Sequence, residues 1–338
     1  MDLRLSAEQT QLVDAFAGLY ARYSTPELVR AAEKVGFDPG LWDRLSELGV
    51  VPMAVGETAG GWGASYLDLA LAAEQQGRFV APVPSVEVQV AARLLERVGE
   101  PASAALADAL AGDRMVTFAP RVARGGVAEL VPAGSIADDA VVLAGDDLVI
   151  VPLDGRRTVV ENLGSMPLAD VALADGPTVL ASGAAARELH DRAVDEWMGL
   201  TAAALVGIAS RALEIGVEYV LERKAWGVPI GSFQSVAHHL ADCATAVDGA
   251  RLLAYEAAWA VDEQPERAAE LGAMAFAFAY ETARDTTYRS LHFHGGYGFM
   301  MEYDIQLYYR RARGWANVVT NPEDAYQRVA DRRYGKVG

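Results

Sequence analysis

The segment ERKAWGVPIGSFQ, residues 222–234, decides how the rest of the chain is interpreted. It follows an apolar run with helical spacing that starts near Leu189, and its glycines and proline end that helix before a new one begins. Arg223 stands in the last turn, where a cation suits the negative end of the helix dipole. Two interpretations follow. The segment is either a helix end with a turn, or an arginine, an aromatic and a glutamine that line a site for a large anionic ligand.

Composition narrows the class of protein. The chain has 338 residues and is 52% apolar, which suffices for two or three globular domains. A net charge of −17 argues against nucleic acid or an anionic membrane as the main partner. No apolar run approaches the ~18 residues of a membrane span, and the N-terminus lacks a signal-peptide pattern. Cys243 is the single cysteine, so an internal disulfide is excluded. We therefore expect a cytoplasmic protein.

The first part of the chain, residues 1–111, is predicted to be a helical domain. Ser6 and Gln9 form a capping-box pattern at the start of a helix, and a second helix is predicted over residues 39–48. The glycine-rich segment at residues 57–65, ETAGGWGAS, could cradle a phosphate. It lacks the lysine and spacing of a P-loop and follows no clear strand, so a plain loop is favoured.

The middle part, residues 112–183, is predicted to be a small β domain, an antiparallel sandwich or barrel. Short runs rich in β-branched residues alternate with turn residues such as Gly125–Gly126 and Asp154–Gly155. The predicted strands are residues 115–118, 128–131, 140–143, 148–151 and 157–160.

The last part, residues 184–338, is predicted to be an antiparallel four-helix bundle. Apolar residues recur at helical spacing, with small residues for close packing. The predicted helices cover residues 185–223, 233–261 and 265–294, with a shorter one from about residue 324. The fold class is therefore α+β, mostly α.

The third bundle helix runs into LHFHGGYGF, residues 291–299. His292 and His294 suggest metal ligands, but residues two apart on a helix face different ways, and no third ligand stands at suitable spacing. No metal is predicted. Gly295 and Gly296 would let the backbone approach a flat or anionic ligand closely. From the residues alone, a packed turn is favoured.

Several ordered motifs resemble those of the acyl-CoA dehydrogenase family. RKAWGVPIGSFQ resembles R-x-x-F-G-x-x-I-x-x-F-Q, with Trp226 in the Phe place. HFHGGYG resembles Q-x-x-GG-x-G, and GFMMEYDIQLYYRRAR resembles the tail G-x-x-x-E-x-x-x-x-x-x-x-R-D-x-R. ETAGGWG and AEQQGR resemble two N-terminal signatures. The order of helices, β domain and helix bundle is also that of the family.

The resemblance implies that FAD is the cofactor. In the family, the arginine and the Phe-Gln pair reach the FAD of a neighbouring subunit near its pyrophosphate and adenine, and the Q-x-x-GG stretch packs on the same cofactor. A guanidinium suits a diphosphate because it can contact it bidentately. The implied cofactor-binding residues are Arg223, Trp226, Phe233, Gln234, His292, Gly295 and Gly296.

The resemblance also implies α,β-dehydrogenation of an acyl-CoA thioester, the flavin step of β-oxidation, with an electron-transfer partner. A carboxylate must remove the α proton while flavin takes a hydride from the β carbon. The usual place of that glutamate falls on Val319, and the place used by some members falls on Trp197. Glu196 is adjacent, but one residue turns a helix by about 100°. Glu323 is a weak candidate, because it also suits the first turn of a helix.

The β domain departs from the family as well, since residues 116–127 read VTFAPRVARGGV where members carry T-E-x-x-x-G-S-D. His292 replaces the Gln of Q-x-x-GG. The pattern resembles the shorter chain of α2β2 heterotetrameric acyl-CoA dehydrogenases that act on steroid side-chain CoA thioesters. We therefore expect a homologous partner subunit that supplies the base. Two alternatives are a flavin monooxygenase or nitroalkane oxidase of the same fold, and a non-catalytic scaffold subunit.

Overall fold

The computed structural model describes residues 4–174, 176–319 and 323–335. The chain divides into two compact units. The first unit consists of Met1–Val29, Ala70–Ala81 and Gly199–Gly338, and the second of Arg30–Leu69 and Pro82–Met198.

Helices come first and last in the chain, and most strands lie between them. The helices are α1 Ala7–Tyr23, α2 Pro26–Ala32, α3 Pro39–Glu47, α4 Tyr66–Arg78, α5 Ser85–Val98, α6 Ser103–Ala111, α7 Gly183–Glu222, α8 Gln234–Glu263, α9 Pro265–Phe293, α10 Ile305–Gly314 and α11 Glu323–Tyr334. The strands are β1 Val116–Phe118, β2 Val127–Val131, β3 Asp139–Ala144, β4 Asp147–Pro152, β5 Arg157–Val159, β6 Ala169–Ala172, β7 Thr178–Ser182, β8 Lys224–Ala225 and β9 Val228–Pro229.

The order of elements confirms the predicted fold class. Helices change to strands between Ala111 and Val116, and strands change back to helices after Ser182. The predicted three-domain division at residues 111 and 183 stays a prediction. The sequence interpretation did not name α2, α5, α6, α10, β6, β7, β8 or β9. Most of these elements are short, but α5 and α10 have clear helical periodicity and were overlooked in spite of it.

The predicted capping box at the first helix is confirmed. The Ser6 hydroxyl accepts a hydrogen bond from the Gln9 amide at 3.1 Å, and the Gln9 side chain accepts one from the Ser6 amide at 3.0 Å. Ser65 and Asp68 make the same reciprocal pair at the start of α4. Each pair satisfies amides that have no partner within the helix.

The glycine-rich segment at residues 57–65, in the second unit, is a loop that folds on itself. The amides of Gly61, Trp62 and Gly63 donate to the carbonyls of Gly56, Pro52 and Val55 at 2.8–3.1 Å. A Cβ at Gly61 would lie 2.1 Å from the Val55 carbonyl oxygen, so only glycine fits. Because these amides are already bonded, the phosphate-cradle interpretation is wrong and the plain-loop interpretation holds.

The strands of the second unit form two sheets. One has the order β1-β3-β4-β7 and the other β2-β6-β5. The prediction of purely antiparallel pairing is wrong for one pair, because β1 runs parallel to β3. The intervening strand β2 belongs to the other sheet, which gives the chain the long connection that a parallel pair needs.

A close crossing of two helices organises the first unit. Helices α4 and α7 meet backbone to backbone: a Cβ at Gly77 would lie 1.8 Å from the Ala204 carbonyl oxygen, and one at Gly207 would lie 1.9 Å from that of Glu74. The carboxylate of Glu74 accepts bonds from Arg251 of α8 at 3.0 Å and from the Tyr255 hydroxyl at 2.7 Å. The AEQQGR motif is therefore a packing and ion-pairing element.

Helix α7 is long and apolar enough to cross a membrane by length and composition alone. Within the fold, 67% of its most apolar 18-residue window is buried. A mostly buried apolar helix is typical of a protein core.

We expect Gly77→Ala to destabilise the protein strongly, by about 3 kcal/mol or more, because the new methyl group would overlap backbone that cannot move without separating two helices. Gly18→Ala is the matched control, since Gly18 lies within α1 and an added Cβ meets no described atom within 4 Å. The control should gain about 0.5–1 kcal/mol of helix propensity. Urea unfolding measures both, and equal effects would contradict the crossing.

Candidate functional site

The arginine segment folds as a short hairpin at the end of α7. Strands β8 and β9 pair Lys224 with Pro229 and Ala225 with Val228. The two turn residues are Trp226 and Gly227, with φ of +51° and +86°, as in a two-residue hairpin turn whose central residues are both left-handed. Such a backbone is unusual for tryptophan. The Trp226 side chain is 91% exposed, so packing within this chain does not account for it.

Arg223 is exposed beside this hairpin. Its amide donates to the Tyr219 carbonyl at 2.9 Å, and its carbonyl accepts from the Ile230 amide at 2.8 Å. The backbone is therefore fixed on both sides. Within residues 4–174, 176–319 and 323–335, no side chain makes an ion pair or hydrogen bond with the Arg223 guanidinium. The guanidinium is free to meet an anion from outside the chain.

Phe233 and Gln234 follow directly at the start of α8. The rings of Trp226 and Phe233 lie edge to face, with centroids 5.8 Å apart. Gln234 is exposed in the first turn of this 30-residue helix, where the dipole adds partial positive charge. Arg223, Trp226, Phe233 and Gln234 thus lie between the end of α7 and the first turn of α8.

The second predicted segment lies at the end of α9. His292 is exposed and stacks on Tyr288, with ring centroids 5.8 Å apart. His294 is buried and stacks on Tyr219 of α7 at 3.9 Å. Since Tyr219 lies one turn before Arg223, this contact joins the two predicted segments. Among the described residues no group of three or more His, Cys, Asp or Glu could hold a metal ion.

Gly295 and Gly296 differ in what they require. Gly295 has φ of +60°, which favours glycine. Gly296 has an ordinary backbone, and an added Cβ would meet no described atom within 4 Å. Packing among the described residues therefore does not explain the absence of a side chain at Gly296. Both positions are exposed, and their bare backbone fits the close approach of a flat ligand such as a flavin dinucleotide.

Glu196, one of the candidates for the catalytic base, is buried in ion pairs rather than exposed to a ligand. Glu196, in the second unit, is buried and accepts bonds from Arg93 Nε at 3.1 Å and Arg97 Nη1 at 3.0 Å. Burial alone would raise the pKa of Glu196, but the two guanidinium groups outweigh burial and hold the pKa below its usual range. Arg192 adds a third, longer ion pair at 3.7 Å. A carboxylate held in three ion pairs is a poor proton acceptor, so Glu196 has a structural role.

The other two base positions hold no carboxylate, and Glu323 has no described side chain. Trp197 is 1% exposed and is the largest fully buried side chain of the described residues. Val319 is half-buried. Glu323 is the first residue of α11, and its side chain lies outside the part of the chain that the structure describes.

Glu87 of α5 is a titratable neighbour that sequence reasoning missed. The Trp197 indole donates to its carboxylate at 3.4 Å. Burial raises the pKa of Glu87, and bonds from its own backbone and from Trp197 offset part of that rise. The sequence offered one indication of this residue, because Glu87 is the single acid in the mostly apolar start of α5.

Residues 116–127 stand where family members are expected to carry T-E-x-x-x-G-S-D. The first residues of this segment expose no polar group. Thr117 and Phe118 are fully buried, and the Thr117 hydroxyl donates to the Pro132 carbonyl at 2.7 Å. Gly134, of the nearest Gly-Ser pair, packs with its Cα against Val131, because an added Cβ would lie 2.8 Å from the Val131 carbonyl oxygen. These residues serve the fold of the β region.

A cavity of about 320 Å³ lies elsewhere in the second unit. Trp42, Val88 and Met115 are among its apolar lining residues, and Glu47 and Arg114 are its charged ones. None of the predicted site residues lines it.

Comparison with known proteins settles the family. The family model described as "Acyl-CoA dehydrogenase, N-terminal domain" matches residues 6–106, and that described as "Acyl-CoA dehydrogenase, C-terminal domain" matches residues 198–316. The chain is 30% identical to "Acyl-CoA dehydrogenase IpdE2" of Mycolicibacterium smegmatis, over 96% of this chain and 98% of that protein. The chain belongs to the acyl-CoA dehydrogenase family.

Solved structures agree with this assignment. A chain of the ChsE4-ChsE5 complex from Mycobacterium tuberculosis superposes with a TM-score of 0.90 at 25% identity, covering all of both chains. A chain of the Tcur3481-Tcur3483 steroid ACAD superposes with a TM-score of 0.85 at 26% identity, covering 96% of this chain and 97% of that one. The protein therefore has the acyl-CoA dehydrogenase fold and is an oxidoreductase of that family.

We expect Glu196→Gln to lower the free energy of unfolding by about 3–5 kcal/mol, because it leaves two largely enclosed guanidinium groups, those of Arg93 and Arg97, without their buried countercharge. Glu218→Gln is the control. Glu218 is exposed and pairs with Arg211, and exposed pairs contribute about 0–1 kcal/mol. Urea unfolding of both variants measures the difference, and a small loss for Glu196→Gln would show that the ion pairs are not needed.

The same ion pairs predict a pH dependence. The folded-state pKa of Glu196 is lowered, so its stabilisation is present above the usual carboxyl range and is lost as pH falls through the folded pKa. The wild-type Tm should therefore fall more steeply than that of Glu196→Gln between about pH 5 and pH 3. Calorimetry across this range tests it, and parallel curves would contradict the lowered pKa.

Proposed function

We propose that this chain is a subunit of a heteromeric FAD-dependent acyl-CoA dehydrogenase of α2β2 composition. It completes the FAD site of a homologous partner subunit, and the partner supplies the catalytic glutamate. One contrast carries the proposal. Arg223 has a backbone fixed by hydrogen bonds and a guanidinium without a partner among the described residues, whereas the two positions expected for the catalytic glutamate hold Trp197 and Val319.

The arginine segment has the chemistry that a dinucleotide requires. The Arg223 guanidinium has no partner among the described residues, and the N-terminus of α8 with Gln234 lies at the end of the same turn. A diphosphate carries two negative charges that a planar guanidinium can contact bidentately. The exposed glycines 295 and 296 leave room for a flat group nearby. FAD combines both features.

The two positions where family members carry their base support the proposal of a second kind of subunit, because they hold Trp197 and Val319 here. When bound, FAD accepts a hydride from the β carbon of the acyl-CoA. The α proton needs a carboxylate with a suitable pKa and position. In this chain Glu196 is held by Arg93 and Arg97, and Trp197 fills the neighbouring position. A partner that keeps the glutamate would make the site complete.

An exposed apolar surface surrounds the proposed FAD-binding residues. Trp226 is 91% exposed, Phe299 60%, Met301 58% and Tyr297 48%. Large exposed aromatic groups beside a polar site are typical of protein interfaces. We propose that the homologous partner covers this surface.

The substrate we propose is an acyl-CoA thioester, with steroid side-chain CoA as the first class to test. One structural neighbour is a steroid ACAD made of two different chains. An electron-transfer partner would receive the electrons. A cytoplasmic location accompanies the proposal, since Cys243 is a free thiol.

We expect Arg223→Gln to weaken FAD binding by the heteromer about 100-fold, because the variant loses a charge-assisted bidentate contact worth about 3 kcal/mol. Thermal stability of the chain alone should not change, since the side chain makes no contact that the fold needs. The measurement is FAD release during dialysis of a complex co-expressed with the homologous partner. Arg22→Gln, an exposed arginine of α1, is the control and should retain FAD.

Two results would contradict this proposal. The first is one FAD per chain, with activity, in this protein purified alone. The second is full FAD retention by Arg223→Gln in the complex. A stoichiometry of one FAD per two chains, with activity only in the pair, is the expected result.

We expect Gly296→Ala to weaken FAD binding about tenfold, roughly 1.4 kcal/mol, while leaving the Tm of the chain alone within about 1 °C. The reason is that the new methyl group meets open space in this chain and would contact only a bound ligand. Equilibrium binding of FAD to the apo-complex measures the first effect and calorimetry the second. A lowered Tm with unchanged FAD affinity would assign Gly296 to the fold instead.

A further inference from the structure

His294 connects the two segments of the proposed FAD site. Its ring stacks on Tyr219 with centroids 3.9 Å apart and an interplanar angle of 23°. Tyr219 belongs to α7 and lies four residues before Arg223. His294 directly precedes Gly295. The FAD-binding motif of the sequence analysis does not assign a function to either ring.

The helices approach closely enough at this point to make the stack possible. A Cβ at Gly216 of α7 would lie 2.4 Å from the Ser290 Oγ of α9. Tyr219 is three residues beyond Gly216, and His294 is four residues beyond Ser290, so each ring lies about one turn past that contact. The close approach at Gly216 therefore fixes the separation of the two rings.

A hydrogen bond fixes the orientation of the His294 ring. Its Nδ1 lies 2.7 Å from the Ser290 carbonyl oxygen. Since a carbonyl can only accept, Nδ1 carries the hydrogen. Burial lowers the pKa of His294, and the bond to Ser290 only partly opposes that effect. The ring is therefore held in one orientation, and burial favours its neutral form.

The aromatic contacts continue into the glycine turn. The His294 ring meets Tyr303 edge on at 5.8 Å, and Tyr303 lies 5.7 Å from Tyr297. A Cβ at Gly298 would lie 3.3 Å from the Cβ of His294. The turn that contains Gly295 and Gly296 is thus packed around the same histidine that contacts α7.

We propose that His294 is a positioning residue for FAD binding: its stack on Tyr219 sets the last turn of α7 so that Arg223 and the Gly295–Gly296 backbone reach the same cofactor. This rests on the proposed function. His294 does not contact the cofactor itself, because its ring is enclosed by Tyr219, Tyr303 and the turn. A phenylalanine would keep the stack, whereas an alanine would remove it.

The test compares His294→Ala, His294→Phe and Phe16→Leu. Phe16 is a buried aromatic of α1 and serves as a control for general loss of stability. The first readout is the rate of amide hydrogen exchange in residues 219–233 of the chain alone. This rate is compared with the exchange rate of α8 in the same sample. The second is the Kd of FAD for the complex with the homologous partner.

We expect His294→Ala to speed exchange in residues 219–233 and to weaken FAD binding roughly three- to tenfold. His294→Phe should restore FAD affinity to within about threefold of wild type, and Phe16→Leu should leave both readouts unchanged at a comparable Tm. The proposal is overturned if Phe16→Leu changes both readouts as much as His294→Ala does. It is also overturned if His294→Ala changes neither.

Arg223→Gln in the same experiment separates the two proposals. If it releases FAD and His294→Ala does not, the positioning role is wrong and the proposed function stands. If Arg223→Gln keeps FAD fully bound, both proposals are wrong.

Discussion

The contact between α4 and α7 at Gly77 and Gly207 is the constraint on which the first unit depends. Two backbones touch there, since a single methyl group at either glycine would overlap a carbonyl oxygen. The contact places Glu74 where it binds Arg251 and Tyr255 of α8. It therefore sets the course of α7, which ends at Glu222, directly before Arg223. A site residue is positioned here by packing that lies far from it in sequence.

The two ends of α7 have opposite characters. Near its start, Glu196 is held by two arginines, and Trp197 is buried where some family members have their base. Directly after its end, Arg223 is exposed, its guanidinium has no partner among the described residues, and its backbone is fixed by hydrogen bonds on both sides. A buried, fully paired carboxylate stabilises the fold, whereas an exposed, unpaired guanidinium contributes nothing to it. This difference supports a chain that contributes to a cofactor site without performing the proton transfer.

Several family signatures prove to be elements of packing. AEQQGR supplies a helix crossing and an ion-pair acceptor, and ETAGGWG supplies a loop whose amides are bonded within the loop. Both motifs are therefore explained by contacts within the fold, with no ligand involved. The residues around Arg223 and Gly296 are different, since no contact within the described residues explains them. Residues explained by contacts within the chain thus belong to the fold, and residues without such contacts are assigned to the candidate site.

The sequence by itself predicted the order of helices and strands, the capping box at Ser6 and the family, and it singled out the residues that we propose to bind FAD. Helical periodicity, turn glycines and ordered motifs are local signals, so they can be recognised without coordinates. The tertiary structure alone decided that Glu196 is locked by Arg93 and Arg97, that β1 pairs parallel to β3, and that His294 stacks on Tyr219. Each of these depends on residues at least 23 positions apart, and no local pattern specifies which distant side chains will meet.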